Sequence, residues 1–389
     1  MLPKADLSAL SLLSAEIFQR SGELRAVLPS PCVRASIGRL VREMNSYYSN
    51  LIEGHKTLPK DIERALRQDF SENETERRNQ ELSVAHIHAE TSMRDRLAKD
   101  PNIDVYAPEF IRWIHQTFYE QLPRTEWTTA SKDGKTYTLE PGRLRNYQVS
   151  VGHHTPPAHD ALAGFMKRFQ SFYHSETISA TDRLIALAAA HHRLVWIHPF
   201  GDGNGRVARL QSQAAMITSG VDGEGLWTLS RGLARKRPEY YAHLQAADEP
   251  RRNDLDGRGN LSDRALSEFC HFFLTQVLDQ ITFMIQLVSP FHLTDRIDSY
   301  ITFTRIDLEK NLRQHFRRLL KALCLEGPMP RGAVDDILSL KSSAAREVIR
   351  KSLEEGLVTS PSPKGPLKIA FPNKVVEAYF PQLFHDLSI

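Results

Sequence analysis

Long apolar runs are missing from this chain of 389 residues, and their absence argues against a membrane span. A transmembrane helix needs about 18 or more consecutive, mainly apolar residues. The most apolar stretch, residues 269–288, is interrupted by a histidine, an aspartate and three glutamines. Its apolar residues recur at helical spacing, so we interpret it as a buried core helix and expect no membrane partner.

Cysteine and charge of one sign are also scarce. Cys32, Cys270 and Cys324 lie far apart, and none of them belongs to a CxxC motif. This pattern argues against a disulfide framework or a zinc site and favours thiols in a reducing cytoplasm. The formal net charge is +3, which is too small by itself to indicate a nucleic-acid partner. No charged segment followed by a long apolar run opens the sequence, so we see no signal peptide and expect a cytoplasmic protein.

Helical periodicity dominates the residues that are present, and we therefore predict a mainly α fold in three blocks. Residues 1–105 are predicted to form an N-terminal helical region. Residues 106–290 are predicted to form a helical core with a small β-hairpin within residues 136–157. In residues 291–389, three helical patterns precede two β-prone runs joined by a turn rich in proline. This last order resembles a winged-helix domain.

Capping and helix-breaking residues set the predicted helix bounds. Apolar residues at helical spacing predict a helix over residues 35–52 that ends near Gly54. One charged helix is predicted to run from residue 59 to about residue 99. Further helices are predicted over residues 110–122, 158–175, 180–197, 204–219, 237–248, 263–288, 309–325, 332–338 and 342–355.

The most informative segment is a glycine-rich loop, residues 198–205, between two helical patterns. Glycine at alternate positions of this loop lets the backbone turn sharply and come close to a ligand. The loop leads into the start of a helix, where unpaired N–H groups and the helix dipole favour an anion. Arg206 and Arg209 in that first turn are unfavourable for the helix itself, unless an anion offsets their charge.

Two further side chains of the loop indicate phosphate chemistry. Asp202 is a hard oxygen ligand, suited to Mg²⁺ that is held together with phosphates. His198, at the entrance of the loop, is a candidate general base. The segment therefore predicts a site for a di- or triphosphate with Mg²⁺. The plain structural alternative is a glycine-rich loop with an aspartate helix cap, which leaves the arginines and the histidine unexplained.

The same segment resembles the signature of the Fic family, HxFx(D/E)GNGRxxR, at every defined position. The matching residues are His198, Phe200, Asp202, Gly203, Asn204, Gly205, Arg206 and Arg209. The resemblance, which covers about residues 30–290, implies a protein adenylyltransferase that moves AMP from ATP to a Ser, Thr or Tyr hydroxyl of a target protein. It implies that His198 is the catalytic base and that Asp202 holds Mg²⁺ or Mn²⁺.

The resemblance also implies a set of residues that bind ATP. The phosphates would lie against the loop and the first helical turns, formed by Asp202, Gly203, Asn204, Gly205, Arg206, Val207, Ala208 and Arg209. Downstream, Tyr240 and Tyr241 would stack on adenosine or bond to it; the alternative is that they are ordinary core aromatics. Asp248 stands where some relatives place an asparagine near adenine.

Residues 144–162 resemble the target-positioning hairpin, or flap, of the family. Such a flap would pair with an extended segment of the target protein by β-augmentation. Within it, four residues resemble the strip that lies against the nucleotide in some members: Val151, Gly152, His153 and His154. The alternative for the two histidines is exposed side chains of a loop.

Upstream, residues 49–54 resemble the family's inhibitory pattern, (S/T)xxxE(G/N), at Ser49, Glu53 and Gly54. A carboxylate beside the negative C-terminal end of a helix needs a cationic partner, and a bidentate pair with Arg209 would supply one. Glu53 would then compete with the γ-phosphate of ATP for one guanidinium. The alternative is a solvated glutamate. Some family members also use this glutamate to remove AMP, which the sequence leaves open.

Two other functions remain as alternatives. One is a Fic fold that transfers a different phosphate-containing group, although Gly205 favours AMP because the phosphorylating kind departs from the motif there. The other is a DNA-binding regulator that acts through the winged helix, although basic residues only slightly outnumber acidic ones after residue 293. Winged helices also serve in dimerisation, so DNA and a homodimer both stay open as partners.

Overall fold

The computed structural model describes residues 2–28, 30–130, 136–152, 154–174 and 178–384. These residues are mainly α-helical, and their strands form only two-stranded antiparallel sheets. The predicted fold class, a helical core with a small hairpin, is therefore confirmed. Among the described residues, no single helix is long and apolar enough to cross a membrane. The helical segments Asp263–Val288 and Pro290–Thr304 reach that length and apolar composition only when they are taken together, and the chain bends by 55° between them.

The first half of the chain contains eight helices and one hairpin in its described residues. In order they are α1 (Leu7–Val27), α2 (Pro31–Ile52), α3 (Pro59–Leu66), α4 (Glu74–Lys99), α5 (Pro108–Tyr119), β1 (Thr128–Ala130), β2 (Thr136–Thr138), α6 (Leu162–Tyr173), α7 (Ala180–Ile197) and α8 (Asn204–Thr218).

The second half continues with short helices, two strand pairs and one long helix. They are α9 (Leu229–Arg235), α10 (Arg237–Asp248), β3 (Gly257–Arg258), β4 (Leu261–Ser262), α11 (Asp263–Val288), α12 (Pro290–Ser299), a π-helical turn (Tyr300–Thr304), α13 (Lys310–Glu326), α14 (Ala333–Leu338), α15 (Ser342–Glu354), β5 (Val358–Thr359), β6 (Lys368–Ile369) and α16 (Asn373–Tyr379).

The residues divide into two compact units. The first unit comprises Met1–Ser21, Asn45–Asp222 and Thr228–Gln280, and the second comprises Gly22–Met44, Gly223–Trp227 and Ile281–Ile389. The predicted domain boundaries at residues 105 and 290 stay predictions.

In the first unit, α7 is the central helix. It packs against α6 and α8, and α8 also contacts α4 and α5. Four small side chains, Ala186 and Ala188–Ala190, are almost fully buried on α7, which lets neighbouring helices approach closely. This packing places both ends of the glycine-rich loop, which joins α7 to α8, on well-buried helices.

In the second unit, the predicted order of three helices and a strand pair is present as α13, α14, α15 and β5–β6. A further backbone bridge joins Met329 to Leu367 beside the strand pair. The assignment of this part to the winged-helix class stays a prediction. A winged helix that binds DNA would use basic side chains of its third helix, here α15. Arg350 on α15 bonds to Glu347 and Glu354, so this part of the basic charge is paired within the helix.

Two predicted elements are wrong in extent. The single charged helix over residues 59–99 is two helices, because Gln68 takes a left-handed conformation (φ 65°) and the Asn73 side chain caps the start of α4. The predicted hairpin within residues 136–157 is also displaced. Strand β2, at the start of the predicted range, pairs with the upstream strand β1. Among the described residues between β2 and residue 157, the only strand-like pairing is the backbone bridge between Val151 and His154.

Candidate active site

All residues of the candidate site belong to the first unit. The loop begins where His198 ends α7 in a left-handed conformation (φ 50°, ψ 61°), which turns the chain away from the helix axis. Gly203 is also left-handed (φ 76°) and precedes α8. Directly after Gly203, the Asn204 side chain both accepts from the Phe200 N–H and donates to the Phe200 carbonyl, each at 2.9 Å. Asn204 therefore closes the loop with its amide group.

Two glycines of the loop are required by close neighbours. A Cβ atom at Gly203 would lie 2.8 Å from Cε2 of Tyr119, and one at Gly205 would collide with Oε1 of Glu53. Val207 and Ala208 on the following turn have buried side chains, and the Val207 N–H donates to the Gly203 carbonyl within the helix. Free N–H groups for an anion are therefore those of the residues before Val207.

Asp202 is held by a tyrosine that the sequence did not single out. The Tyr119 hydroxyl, at the end of α5, donates to Oδ2 of Asp202 at 2.8 Å. Burial alone would raise the pKa of Asp202, but the Arg206 guanidinium and the Tyr119 hydroxyl together hold it below its usual value. Asp202 is therefore a carboxylate at neutral pH, and a backbone hydrogen bond from Gly203 adds to the bond from Tyr119.

The Tyr119 ring is itself positioned by a stack of rings. His115, one turn earlier on α5, lies between Tyr119 and Phe200, with ring centroids 4.5 and 4.0 Å away. Its Nδ1 accepts the Gly142 N–H at 2.9 Å, and burial lowers the pKa of His115 to about 3. The neutral His115 ring therefore fills the space between the Tyr119 and Phe200 rings beneath the loop.

Arg206 lies in surroundings that would favour a bound anion. It is 5% exposed, and its Nε and Nη1 atoms have no hydrogen-bond partner among the described residues. Its guanidinium lies 5.3 Å from the centre of the Phe118 ring. Burial lowers its pKa, but the negative groups of Asp202 and Glu53 outweigh that effect, so Arg206 remains charged. Unpaired N–H groups on a buried cation are costly, and a phosphate would satisfy them.

Arg209, the other predicted phosphate ligand, is occupied. Its Nη2 donates to Oε1 of Glu53 at 2.6 Å and to the Ser49 carbonyl at 2.9 Å, and its Nε donates to the Ser49 hydroxyl at 2.9 Å. The expected contact between Glu53 and Arg209 is present, but it uses one carboxylate oxygen and is not bidentate. Gly54 is left-handed (φ 90°) and directs the chain away after Glu53.

The carboxyl group of Glu53 is ionised in this arrangement. Burial raises the pKa of Glu53, but the positive charges of Arg209 and Arg206 outweigh it and hold the pKa below its usual value. The side chain keeps 27% exposure. Glu53 thus presents a charged group to the two arginines that were predicted to hold phosphates.

His198 is neutral in its surroundings. Burial is the main cause that lowers its pKa to about 4, and the nearby Arg145 guanidinium adds to this. Arg145, another residue that the sequence did not reveal, donates to the carbonyls of His198, Tyr147 and Pro157. It therefore ties the loop to the predicted flap, and the neutral imidazole is in the form that can accept a proton.

The flap residues lie around a single backbone bridge. The N–H of Val151 and the N–H of His154 each donate to the carbonyl of the other residue at 2.9 Å, and Gly152 between them is left-handed (φ 58°). His154 also donates from Nε2 to the Trp196 carbonyl at 2.8 Å. His153 lies outside the described residues.

The predicted adenosine residues divide into one buried and two more open side chains. Tyr240 is 2% exposed and its hydroxyl bonds to Nε2 of His191 at 2.8 Å, which is the arrangement of a core side chain. Tyr241 is 42% exposed and donates to the Ile52 carbonyl at 3.1 Å, next to Glu53. Asp248 bonds to Nε2 of His192 at 2.8 Å.

A metal ion would find one carboxylate at this site. No group of three or more His, Cys, Asp or Glu side chains that could hold a metal occurs among the described residues. Mg²⁺ is commonly bound by one or two carboxylates together with substrate phosphates, so the carboxylate of Asp202 fits such an ion when phosphates are present.

Fold and site together describe a helical domain with a glycine-rich loop that has a neutral histidine at its entrance. Residues 102–215 match the Fic/DOC family. This part of the chain is therefore similar to a Fic/DOC domain.

Curated relatives match over the domain only. The chain is 37% identical over 116 residues to a protein adenylyltransferase Fic of Drosophila erecta, a match that covers 30% of this chain and 22% of that relative. The relative of the same name in Drosophila melanogaster is 36% identical over the same length. The matched part is therefore about a fifth of those relatives' length.

Solved structures share the fold over a larger part of the chain. A Fic family protein from Desulfovibrio desulfuricans aligns with a TM-score of 0.55 and 16% identity, over 96% of this chain and 99% of that one. Fic-1 from C. elegans, residues 134–508, aligns with a TM-score of 0.52 and 20% identity over 72% of each chain. At these identities, the likeness concerns the fold alone.

Proposed function

We propose that this protein transfers AMP from ATP to a hydroxyl group of a target protein. The observation that carries the proposal is the buried, unsatisfied guanidinium of Arg206 beside a glycine loop that starts a helix. Such a loop is an anion site, and Arg206 would add two charge-assisted hydrogen bonds to a phosphate. The protein adenylyltransferases among the curated relatives support AMP as the group that is transferred.

The chain's own residues would perform the reaction as follows. The N–H groups at the start of α8 and the Arg206 guanidinium would fix the phosphate chain. The neutral imidazole of His198 would take the proton from the target hydroxyl as its oxygen attacks the α-phosphorus. Pyrophosphate would leave from the opposite side as AMP becomes bonded to the target oxygen.

Asp202 would hold Mg²⁺ or Mn²⁺ through its carboxylate, which also accepts the hydrogen bond from Tyr119. When bound, the ion would neutralise charge on the α- and β-phosphates. The hydrogen bond from Tyr119 would keep the carboxylate in one orientation. A single carboxylate with phosphates is a usual arrangement for this ion.

We further propose that Glu53 inhibits the reaction by occupying Arg209. In the present arrangement, Nη2 of Arg209 bonds to Oε1 of Glu53 and Nε bonds to the Ser49 hydroxyl, so the guanidinium is not free for a γ-phosphate. Glu53 also lies against Gly205, where its negative charge would repel a phosphate. Transfer would therefore require Glu53 to move away.

The chemistry is tested with ATP labelled in different phosphates. The Glu53→Gly protein would be incubated with a heat-inactivated cell lysate, in which endogenous kinases are inactive, and either α-³²P- or γ-³²P-labelled ATP. AMP transfer predicts protein-bound label from the α-position only, with no label in a Glu53→Gly/His198→Ala control. Label from the γ-position would identify phosphate transfer, and label that persists without His198 would remove that residue from the mechanism.

A further inference from the structure

A cavity separate from the predicted ATP residues lies between α6, α7 and the β3–β4 strand pair. Its volume is about 630 Å³, and none of the residues predicted to bind ATP lines it. Three arginines, Arg168, Arg193 and Arg258, face it from these three elements, against a single carboxylate, that of Asp160. The lining is thus strongly positive for a cavity of this size.

None of the three arginines forms an ion pair within 4.0 Å of a carboxylate in the described parts of the chain. Arg258 is 7% exposed, and it donates to the Ser262 and Ala247 carbonyls. Burial and the neighbouring Arg193 guanidinium lower the pKa of Arg258 to about 10. A buried cation close to a second cation is unfavourable, and an anion in the cavity would offset that cost.

Aromatic rings form the rest of the wall. Phe165, Phe169 and Phe172 line the cavity along α6. The Arg168 guanidinium lies 5.2 Å from the centre of the Phe172 ring, and Phe172 is 40% exposed. Flat apolar faces beside guanidinium groups suit a ligand that has a planar ring and an anionic group.

We propose that this cavity binds a small organic anion with a planar ring, such as an aromatic phosphate or carboxylate. The volume lies in the range of about 300–1,000 Å³ that is usual for small-molecule sites, which favours a small ligand over a protein segment. Ile197 lines the cavity and precedes His198 directly. A bound ligand would therefore contact the end of α7 that carries the catalytic histidine.

Calorimetric titration with two probes of the same ring tests the proposal. The probes are 1-naphthyl phosphate, which has the anionic group, and 1-naphthol, which lacks it. Charge-assisted hydrogen bonds to the arginines predict that the phosphate binds at least about tenfold more tightly than the alcohol. Arg193→Gln is expected to remove most of that difference and to leave the affinity for naphthol unchanged. Equal affinities of the two probes for the unaltered protein would overturn the proposal.

A second variant blocks the cavity without removing a charge. Gly164 lines the cavity, and a Cβ atom there would meet nothing within 4 Å. Leucine favours the helix more than glycine does, so Gly164→Leu should fold while it fills the space. Gly22→Leu is the matched control, because Gly22 on α1 is equally open and does not line the cavity.

Gly164→Leu is expected to weaken naphthyl phosphate binding at least about tenfold, and Gly22→Leu to leave it unchanged. Naphthyl phosphate that binds at the glycine-rich loop would still bind to both variants. Only the binding that is lost in Gly164→Leu is therefore assigned to the cavity. Unchanged binding in Gly164→Leu would contradict the proposal. Because neither ATP nor label transfer is used, this outcome would leave the proposed AMP transfer untouched.

Discussion

At the scale of single residues, the candidate site contains three charged groups that differ in their hydrogen bonds. Arg206 has unsatisfied N–H groups, Arg209 is occupied by Glu53 and Ser49, and Asp202 is fixed by one hydroxyl. Both arginines are buried, so their hydrogen bonds depend on the few groups next to them, whereas Asp202 is exposed. A phosphate with its metal ion would change all three at once.

Tyr119 is expected to tune metal binding. Tyr119→Phe removes the hydrogen bond to Oδ2 of Asp202, so the carboxylate becomes free to turn. Loss of such a bond costs about 1 kcal/mol or more, which is severalfold in an equilibrium constant. In the Glu53→Gly background, we expect the apparent affinity for Mg²⁺ to fall severalfold, with little change in rate at saturating Mg²⁺.

The matched control for this change is Tyr379→Phe, since the buried Tyr379 hydroxyl has no hydrogen-bond partner among the described residues. Direct titration of Mn²⁺ into the protein with a non-reactive ATP analogue, followed by electron paramagnetic resonance, gives a readout that does not depend on turnover. An unchanged metal affinity in Tyr119→Phe would show that the hydroxyl does not position Asp202.

The limits of sequence reasoning are clearest at the same scale. The spacing of the signature identified His198, Asp202 and the arginines, because they are close along the chain. Tyr119 contacts Asp202 from 83 residues away, and Arg145 reaches the His198 carbonyl from 53 residues away. No local pattern marks either residue, since its role depends on how the helices pack.

At the scale of elements, α2 carries Ser49 and ends directly before Glu53, the two residues that occupy Arg209. Apolar periodicity predicted this helix and its end near Gly54 because one of its faces is buried, and similar patterns placed α7, α10 and α11 correctly. The break between α3 and α4 was missed because Gln68 is not a residue that usually favours a left-handed conformation. The strand β1 was missed because three residues carry too little periodicity to be recognised.

Ser49 is expected to support the inhibitory contact from α2. Ser49→Ala removes the hydroxyl that accepts from Nε of Arg209 but leaves the Ser49 carbonyl and Glu53 in place. We expect a severalfold rise in AMP transfer, smaller than that caused by Glu53→Gly, because only one of three bonds is lost. Rates would be measured with α-labelled ATP.

Ser46→Ala is the matched control for Ser49→Ala. Ser46 lies on the same helix and donates to the Ser83 carbonyl, with no bond to Arg209. It should leave the rate of AMP transfer unchanged. Equal rates for Ser49→Ala and the unaltered protein would mean that the hydroxyl does not help to hold Arg209 away from ATP.

At the scale of the whole molecule, buried histidines make the first unit sensitive to acid. Burial is the largest cause that lowers the pKa of each of five histidines, to about 3 or 4: His86, His115, His191, His192 and His198. All five belong to the first unit. In the unfolded chain they would take up protons near pH 6.5, about two or more pH units earlier than in the folded protein.

The sign of the resulting pH dependence follows from proton linkage. Between about pH 6.5 and pH 4, the unfolded state binds more protons than the folded state, so acid lowers the free energy of unfolding. Each histidine contributes up to about 1.4 kcal/mol per pH unit in that range. Denaturant titrations followed by circular dichroism should therefore show a steep loss of stability as the pH falls from 6.5 to 4.

His86 offers a specific test of this dependence. Its ring is fully buried on α4, and neither nitrogen has a hydrogen-bond partner among the described residues. His86→Leu should reduce the loss of stability on acidification, and the same change at the exposed His88 on that helix serves as the control. An equal acid dependence in the two variants would contradict the assignment of the effect to buried imidazoles.

The most direct test of the central claim compares AMP transfer by the unaltered protein and by Glu53→Gly. We propose that Glu53 keeps Arg209 from the γ-phosphate of ATP. Removal of the Glu53 carboxylate should therefore raise the rate of label transfer from ATP labelled at the α-phosphate. Because a charge-assisted bond is worth about 1.5–3 kcal/mol, the expected rise is at least about tenfold. An equal or lower rate in Glu53→Gly, with the fold intact by circular dichroism, would contradict it.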